Sequence, residues 1–468
     1  MNRWTWLSLA YVACVALGMA YFLLDLPVQV SDSYGNIVEA SRGTLGSLVS
    51  QQFHSRAYLR PFLWAHIRVV YDLSGGHYYE WFRGWHVGQV VLLAILFIRL
   101  VQPRRVFDAS AIPVGVAALI GIHTFAGTVR EAFPINAFMT ILLCCFLAAD
   151  VALGPPRWWR DVAASVIFIF ASLTAESGLL VAVVFVTACA AGAQGVSRRG
   201  IAVMLAFAAG YFLLRFVVLD VGTPELTERS SGFGFSTRDP DELAAMFGGS
   251  ALPFYAYNVV TAVLSVLFSE PRAGIWVATR GLVHGEPSIA SLVNVVASSL
   301  STILIAAYVW QRRVDWRARR FDRRDRVVIM FASVLVANAA ISYAYTKDVI
   351  LSPAGAFFAV ALTVATSHIV EVASRATMGR QVGVALLLVV ISSAWAFRAL
   401  GIHAGLRTSA AVVRNEWAYV DEWLEHQGLV PTTPTAIELK RHLRDDAIRR
   451  HPVRPAVRGD WFEWFADD

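Results

Sequence analysis

Charged residues are scarce in this sequence: they make up only 16% of its 468 residues, whereas 57% are hydrophobic. A soluble protein of this length carries far more charge, so the composition excludes an ordinary soluble domain. Apolar runs of about 20 residues recur along the whole chain, and a helix of that length crosses the ~30 Å hydrocarbon core of a bilayer. The composition therefore predicts an all-α polytopic membrane protein.

Cysteine is also rare, and no repeat or low-complexity linker is present. The four cysteines lie inside apolar runs, where we interpret them as packing residues rather than as a disulfide framework or a zinc site: Cys14, Cys144, Cys145 and Cys189. The first apolar run, from Trp4 to Leu24, has no small-residue cleavage site, so we expect it to be a retained span. The net charge of +6 comes mostly from arginines near span ends, which indicates membrane orientation and not a nucleic-acid partner.

The apolar runs predict about eleven spanning helices. Their approximate bounds are 4–24, 84–101, 110–127, 133–153, 161–174, 177–193, 200–219, 288–310, 327–345, 349–371 and 381–400. We expect them to form one transmembrane domain over residues 1–403, with interfacial helices in large external loops at about 25–83 and 220–287. Residues 404–468, polar and with several tryptophans, are predicted to be a small external helical tail.

Arginines mark alternate ends of the predicted spans. If the N-terminus is cytoplasmic, Arg3, the arginine pairs after the second, fourth and sixth spans, and the loop from Arg312 to Arg326 all fall on the cytoplasmic side. The apolar stretch 251–268 would reverse this order if it crossed the bilayer. We therefore predict that it is an interfacial or re-entrant helix.

Several ionisable residues then collect at span ends on the external face. They are Asp32, Glu176, and the adjacent pairs Arg130–Glu131 and Lys347–Asp348. Asp32 is either a helix cap or a catalytic carboxylate. Glu176 interrupts an apolar hairpin, where an unpaired carboxylate would be costly, which favours a functional role. Arg130–Glu131 is either part of a site or a local ion pair at a tight turn, and Lys347–Asp348 is either part of a site or a solvated turn.

Arg60 precedes Pro61, a residue that begins helices well. A cation at a helix N-terminus is disfavoured by the dipole, so its presence there indicates a nearby anion, and phosphate is the obvious one. The alternative is an arginine that extends to lipid headgroups.

At these positions the chain resembles the GT-C superfamily of membrane glycosyltransferases, which use polyprenyl-phosphate-linked sugars. The resemblance lies in an acid after the first span (Ser31-Asp32-Ser33-Tyr34), a Tyr-x-Arg-Pro segment (Tyr58-Leu59-Arg60-Pro61), a hairpin (Thr174-Ala175-Glu176-Ser177-Gly178) and a turn before a late span (Tyr343 to Asp348). The hairpin has Ala175 where the family often has lysine, and Lys347-Asp348 replaces Asp-Arg.

The resemblance implies inverting transfer of a sugar from a polyprenyl-phosphate donor to a glycan, lipid or protein acceptor. It implies a bacterial cytoplasmic membrane and an active site on the periplasmic or exterior face. Asp32 would be the general base, supported by Glu176. Arg60, Arg130 and Lys347 would bind the donor phosphate, and Tyr34, Tyr58, Glu131 and Asp348 would contact the substrates. No metal ligand set is predicted, although a divalent Mg²⁺ or Mn²⁺ is compatible with the chemistry.

Three other functions fit the same helices. An O-antigen-type ligase or polymerase also joins glycans on the outer face, from a diphosphate donor. A lipid-linked sugar flippase or other transporter explains the helices, but it usually keeps its ionisable groups near mid-membrane. The third alternative is a catalytically inert membrane scaffold.

Overall fold

The computed structural model describes residues 2–54, 57–130, 137–286 and 288–450, and these are mostly helical. The helices of the first half are α1 (Arg3–Leu23), α2 (Gly35–Arg42), α3 (Leu45–Gln52), α4 (Pro61–Ser74), α5 (Tyr78–Val101), α6 (Val106–Gly121), α7 (His123–Arg130), α8 (Ala137–Ala152), α9 (Trp158–Ser172), α10 (Leu180–Ala190) and α11 (Arg198–Leu213). Two short π-helical turns, Val30–Tyr34 and Leu214–Val218, and a 3-10 turn, Glu176–Leu179, connect some of them.

The second half begins with α12 (Pro224–Thr227) and a two-stranded antiparallel hairpin of β1 (Ser230–Gly232) and β2 (Phe235–Arg238). The remaining helices are α13 (Pro240–Met246), α14 (Leu252–Phe268), α15 (Ile275–Val283), α16 (Ile289–Arg317), α17 (Arg323–Ile341), α18 (Ser352–Ala373), α19 (Met378–Glu416), α20 (Val420–His426) and α21 (Pro434–Arg450). The 3-10 turns Asp348–Leu351 and Trp417–Tyr419 precede α18 and α20.

Long apolar helices support a membrane-embedded, all-α protein. In the described part of the chain, six helices are long and apolar enough to cross a bilayer, or seven if α6 and α7, bent by 67°, form one span. The predicted spans 133–153 and 177–193 coincide with shorter apolar helices. The total of about eleven spans therefore stays a prediction, while the helical membrane class is supported.

Helix α18 lies at the centre of the bundle. Its most apolar window, with the turn before it, is 94% buried, and it contacts α6, α8, α16 and α17. Small residues allow this close approach: a Cβ atom at Gly115 would lie 1.7 Å from the Thr363 hydroxyl oxygen, and one at Gly355 would lie 2.1 Å from that of Thr124. Glycine at helix contacts is the usual way in which membrane helices pack tightly.

Ion pairs join the helices at the end of the bundle that carries the loop from Arg312 to Arg326. Arg324 contacts Asp108 of α6 at 2.5 Å and Glu371 of α18 at 3.2 Å. Arg312 binds Asp325, whose side chain is fully buried, at 2.8 Å. We call this the arginine-rich end; the residues after the C-terminus of α17 lie at the opposite end.

Helix α14, which covers the ambiguous stretch 251–268, contacts the far side of the bundle from these ion pairs. The Asn258 amide donates to the carbonyl of Tyr343, just beyond the end of α17. At the other end of α14, Ser269 shares a hydrogen bond of 2.7 Å with Ser298, in the first third of α16. These contacts show where α14 packs, and its interfacial or re-entrant placement stays a prediction.

The C-terminal helices pack on the segment between α1 and α5. Trp417 is fully buried there, and its indole donates to the carbonyl of Val28 at 2.7 Å. The predicted domain boundary at 403–404 does not coincide with a break, because α19 continues to Glu416. In its described part the tail contains α20 and α21 and is continuous with the last long helix, and its separation as a domain stays a prediction.

The orientation of the bundle can be tested with single cysteines in a variant that lacks the four native ones. Glu422→Cys, exposed on α20, is expected to react with a membrane-impermeant maleimide in intact cells, because the basic residues place the tail outside. Arg317→Cys, exposed at the arginine-rich end, is the matched control and is expected to react only after lysis. The opposite labelling pattern would contradict the predicted topology.

Candidate functional site

A cavity of about 360 Å³ lies beyond the C-terminal end of α17. Its walls come from the start of α4, the start of α8, the turn after α9, the end of α11 and the segment before α18. The charged residues that line it, among those described, are Arg60, Glu176, Arg215, Arg229 and Lys347. With the segment around α12, which supplies Arg229, the cavity brings together residues from six separate parts of the chain.

Arg60 occupies the position directly before α4, as the Arg-Pro pair predicts. Its Nε and Nη2 atoms donate to the same carboxylate oxygen of Glu176, at 3.0 Å and 2.5 Å. Its guanidinium also lies 4.0 Å from the centre of the Tyr58 ring. The anion expected beside this helix start is, in this structure, the Glu176 carboxylate.

Glu176 lies in the turn between the predicted spans 161–174 and 177–193 and binds two arginines. Its second oxygen is 3.2 Å from Nη1 of Arg215, whose side chain is only 3% exposed. Burial alone would raise the pKa of Glu176, but Arg60 and Arg215 together hold it below the usual value. The carboxylate is therefore charged and fixed in place at neutral pH, which suits an orienting group better than a proton acceptor.

The turn that carries Glu176 rests directly on α9. A Cβ atom at Gly178 would lie 2.2 Å from the backbone of Ala171, so only glycine allows this approach. The Thr174 hydroxyl donates to the carbonyl of Phe170 at 2.7 Å. These contacts fix the position of the Glu176 backbone relative to the helices on each side.

Arg215 was not among the residues predicted for the site. It lies in the π-helical turn at the end of α11 and donates to the Tyr211 hydroxyl at 2.9 Å. A single arginine inside the apolar run 200–219 is a signal of function, because charge is costly there. Asp32 also lies in a π-helical turn, and such turns occur often at functional sites.

Arg229 and Lys347 line the same cavity, and both lie near the ring of Tyr345. Arg229 donates to the Tyr58 hydroxyl at 3.2 Å, and its guanidinium is 5.7 Å from the centre of the Tyr345 ring. The ammonium of Lys347 lies 4.8 Å from the same ring. Lys347 was predicted for this site, whereas Arg229 was not.

Backbone hydrogen bonds join the two chain segments that carry Arg229 and Lys347. The amide of Ser231 in β1 donates to the carbonyl of Ala344 at 3.1 Å, and the amide of Thr346 donates back to Ser231 at 2.9 Å. The hairpin that follows Arg229 is thereby tied to the segment that carries Lys347. The Asn258 amide donates to the carbonyls of both Ser231 and Tyr343, which adds a third connection.

Asp348 is not among the residues that line this cavity. It contacts Arg272 at 2.6 Å and His123 at 3.7 Å. Its neighbour Lys347 lines the cavity, and the two side chains have different surroundings because the chain enters a 3-10 turn between them. Asp348 therefore binds Arg272 and His123 outside the cavity, and the substrate contact expected for it stays a prediction.

Tyr34 is likewise remote from the lining of the cavity. It is fully buried against Trp417, with 5.1 Å between the ring centres. Burial raises the pKa of its hydroxyl, and the nearby Asp421 carboxylate raises it further. Tyr34 therefore packs the tail onto the first external segment, and the substrate role expected for it stays a prediction.

Three predicted site residues lie partly or wholly outside the described part of the structure. The backbone of Asp32 lies in the π-helical turn Val30–Tyr34 and that of Arg130 at the end of α7, but their side chains lie outside the described part. Glu131 lies wholly outside the described residues. Their roles stay predictions.

A second, larger cavity of about 950 Å³ forms a groove between α5, α8 and α9. Its walls are mostly apolar, and its rim is open: the side chains of Trp85 and Val166 are 50% and 58% exposed. Exposed apolar rims on a membrane-embedded bundle face lipid tails. We call this cavity the lipid-facing groove.

No family model matches the chain, and no curated protein or solved structure is detectably similar to it. The resemblance to GT-C glycosyltransferases thus stays an expectation from its motifs.

The lipid-facing groove and the cavity lined by Arg60 and Glu176, which we call the charged cavity, share two helices. On α8, Phe138 lines the cavity and Thr140, two residues later, lines the groove. At the start of α4, Arg60 and Leu63 line the cavity, whereas His66, further along the helix, lines the groove and has its ring centre 5.1 Å from that of Phe170. A molecule with a charged head and an apolar tail could therefore occupy both.

Among the described residues, no three His, Cys, Asp or Glu side chains are grouped so that they could hold a metal ion. Because the Asp32 side chain is outside that set, the compatibility of the site with Mg²⁺ or Mn²⁺ is untested. The part of the site that can be described is cationic, with arginines and a lysine suited to anions.

Proposed function

We propose that this protein is a membrane glycosyltransferase that transfers a sugar from a polyprenyl-phosphate donor to an acceptor at the end of the bundle opposite the arginine-rich end. The observation that carries the proposal is the adjacency of a cationic cavity and an apolar groove along α4 and α8. A polyprenyl-phosphate sugar has the same division, with a charged phosphate between a long hydrocarbon tail and a polar sugar.

The arginines of the cavity suit cleavage of the bond between the sugar and the lipid phosphate. When the sugar leaves the lipid phosphate, negative charge develops on the phosphate oxygens, and fixed cations lower the energy of that transition state. Arg60 is held by two hydrogen bonds to Glu176, and Arg215 is buried beside the same carboxylate. A preorganised pair of this kind need not reorganise during the reaction.

The acceptor hydroxyl attacks from the opposite side of the sugar and must lose its proton. In the proposal Asp32 takes that proton as the general base. Glu176 acts through Arg60 as a positioning residue, because both of its oxygens already face arginines. The aromatic rings that line the cavity, including Tyr58 and Tyr345, offer flat surfaces on which a sugar ring can stack.

The direct test of the phosphate site is substitution of Arg60. Arg60→Lys keeps the charge but loses the planar fork, so donor affinity is expected to fall severalfold, and Arg60→Ala is expected to lower it by about tenfold or more. Binding of a polyprenyl-phosphate sugar to the purified variants measures this. Arg280→Gln, on α15 outside the cavity, controls for the change in net charge. Donor affinity unchanged in both Arg60 variants would reassign Arg60 to a structural role.

The groove can be tested by filling it. Gly84 and Gly88 line the groove, and a Cβ atom at either would meet no atom within 4 Å, so larger side chains there project into open space. Gly88→Phe is therefore expected to raise the KM for a long-chain donor by about tenfold, because apolar contacts with the tail are displaced. A donor analogue with a short chain, which does not need the groove, is expected to keep its wild-type KM.

The matched control for this substitution is Gly210→Phe. Gly210 lies on α11 outside the groove, and its Cβ position is equally open. It adds the same side chain to an exposed helix face. An equal loss with both donors in Gly88→Phe, or an equal loss in Gly210→Phe, would show that the groove does not hold the tail.

A further inference from the structure

The C-terminal tail contacts the chain just before and just after the π-helical turn that carries Asp32, which we call the Asp32 turn. Before it, the buried indole of Trp417 donates to the carbonyl of Val28 at 2.7 Å. After it, a Cβ atom at Gly35 would lie 3.1 Å from the ring of Trp423. The Asp32 turn is thus held at both ends by residues from the end of the chain.

The segment that leads into the turn is fixed by hydrogen bonds to its carbonyls. The buried guanidinium of Arg83, on α5, donates to the carbonyls of Leu26 and Pro27, at 2.9 Å and 2.7 Å. With the Trp417 bond to Val28, three successive carbonyls accept from side chains. Buried carbonyls outside regular structure need such partners. Loss of the last of these bonds would release the residue nearest to the turn.

The end of the Asp32 turn also contacts the tail. The amide of Tyr34 donates to the carbonyl of Gln29 at 3.2 Å, which closes the turn. The ring of Tyr34 packs against Trp417, with 5.1 Å between the ring centres, and both side chains are fully buried. Trp417 therefore contacts the backbone before the turn and the side chain that ends it.

An apolar cluster joins the tail to this segment over a wider area. It contains Val28, Val30, Ile37 and Val38 from the first external segment, and Val420, Leu424, Leu439 and Leu443 from the tail. All of these side chains are buried, so the tail forms a close-packed wall beside the Asp32 turn.

We propose that the C-terminal tail positions the Asp32 turn for catalysis, and that Trp417 is the positioning residue that acts through the backbone. The inference rests on the proposed function, in which Asp32 accepts the proton of the acceptor hydroxyl. A base must lie within hydrogen-bonding reach of that proton, and a displacement of about 1 Å is enough to slow a reaction strongly. The tail thereby takes part in sugar transfer without contact to the substrates.

Trp417→Phe tests the proposal, because it keeps an aromatic ring against Tyr34 but removes the hydrogen bond to Val28. Turnover is expected to fall by about tenfold, while the KM for the polyprenyl-phosphate sugar stays at its wild-type value. The full-length protein in lipid nanodiscs is assayed with a polyprenyl-phosphate sugar as donor. Membranes from a strain that lacks this protein supply the acceptor.

Trp395→Phe is the matched control. Trp395 is also fully buried and lies on α19, and its indole donates to the Ser301 hydroxyl at 2.9 Å. It belongs to the core of the helix bundle, so the same kind of bond is lost away from the apolar cluster of the tail. This variant is expected to retain wild-type turnover.

A second variant reaches the turn from its other end. Gly35→Ala places a methyl group against the ring of Trp423 and is expected to show the same pattern of lower turnover and unchanged KM. It keeps the proposal testable if Trp417→Phe does not fold, and thermal unfolding of each variant checks folding.

A double substitution separates positioning from a general loss of stability. If Trp417 acts through Asp32, Trp417→Phe is expected to cause no further loss of turnover in the Asp32→Asn background, because the group that it positions is already inactive. A purely structural role predicts the same fractional loss in both backgrounds, and that result would overturn the inference.

The inference and the proposed function fail in different ways. Wild-type turnover in both Trp417→Phe and Gly35→Ala, with a large loss in Asp32→Asn, would overturn the inference and leave the proposed function intact. Wild-type turnover in Asp32→Asn would remove Asp32 as the base, and this inference with it. A wild-type protein that neither binds the polyprenyl-phosphate sugar nor transfers its sugar would overturn the proposed function itself.

Discussion

Asp32→Asn is expected to lower turnover by about a hundredfold or more, because the amide keeps the shape of the side chain but cannot accept a proton. Binding of the lipid donor should be nearly unchanged, since the proposed phosphate ligands are arginines. The rate of sugar transfer by the purified variant, at saturating donor and acceptor, measures this. Asp32 lies in the π-helical turn that follows α1, a conformation common at functional sites.

The same substitution separates catalysis from helix capping. Asparagine caps a helix about as well as aspartate, so a capping role predicts an almost silent change. Asp72→Asn, on α4 in the same external segment and in an i,i+4 pair with Arg68, is the matched control and is expected to retain wild-type turnover. Wild-type turnover in Asp32→Asn would transfer the role of base to another carboxylate.

Glu176→Gln is expected to have the largest effect on stability, with a loss of about 3 kcal/mol in the free energy of unfolding. The substitution removes the negative charge between Arg60 and Arg215, and the buried Arg215 then bears most of the cost. This value lies at the low end for a broken buried pair because the Glu176 side chain is 26% exposed. Thermal or denaturant unfolding in detergent, compared with Asp72→Asn as the control, measures the difference.

The pH dependence of Glu176→Gln distinguishes a positioning residue from a base. The pKa of Glu176 is lowered in the folded protein, so its ion pairs stabilise the fold above the unfolded-state pKa, and that stability is lost as the pH falls through the lower folded-state value. In the variant this acid-dependent loss of stability should disappear. Turnover should fall, but the decrease of activity at low pH, assigned to Asp32, should remain. Disappearance of that decrease would make Glu176 the base.

The grouping of three site residues on one face could be predicted from the sequence, because span alternation assigns loops to faces. Arg60, Glu176 and Lys347 are far apart in the chain, yet the predicted topology placed them on one side, and the structure brings all three to one cavity. The prediction depended only on which face each loop reaches. It gave no distances, so the contact in which two Arg60 nitrogens donate to one Glu176 oxygen required the structure.

Other features depend on packing that no local pattern reveals. Tyr34 was assigned to the site because it follows Asp32, but it packs against Trp417, nearly 400 residues away. Asp348 was assigned with Lys347, but the turn between them gives it Arg272 and His123 as partners. Arg215 could have been found from its place in an apolar run, although its pairing with Glu176 could not.

The span count was the least determinate part of the sequence prediction. Hydropathy identifies apolar runs but does not show whether a short helix crosses the membrane or ends inside it. Helices such as α8 and α14 are apolar yet shorter than a full span. Their depth depends on neighbouring helices, which the pattern of a single run does not contain.

The central claim is that the charged cavity and the lipid-facing groove hold one lipid-phosphate donor. An experimental structure with a bound polyprenyl-phosphate sugar tests it most directly. The account predicts the phosphate within hydrogen-bonding distance of the Arg60 guanidinium and the hydrocarbon tail in the groove beside Gly84 and Gly88. A phosphate bound away from Arg60, or a tail that leaves the groove empty, would contradict it.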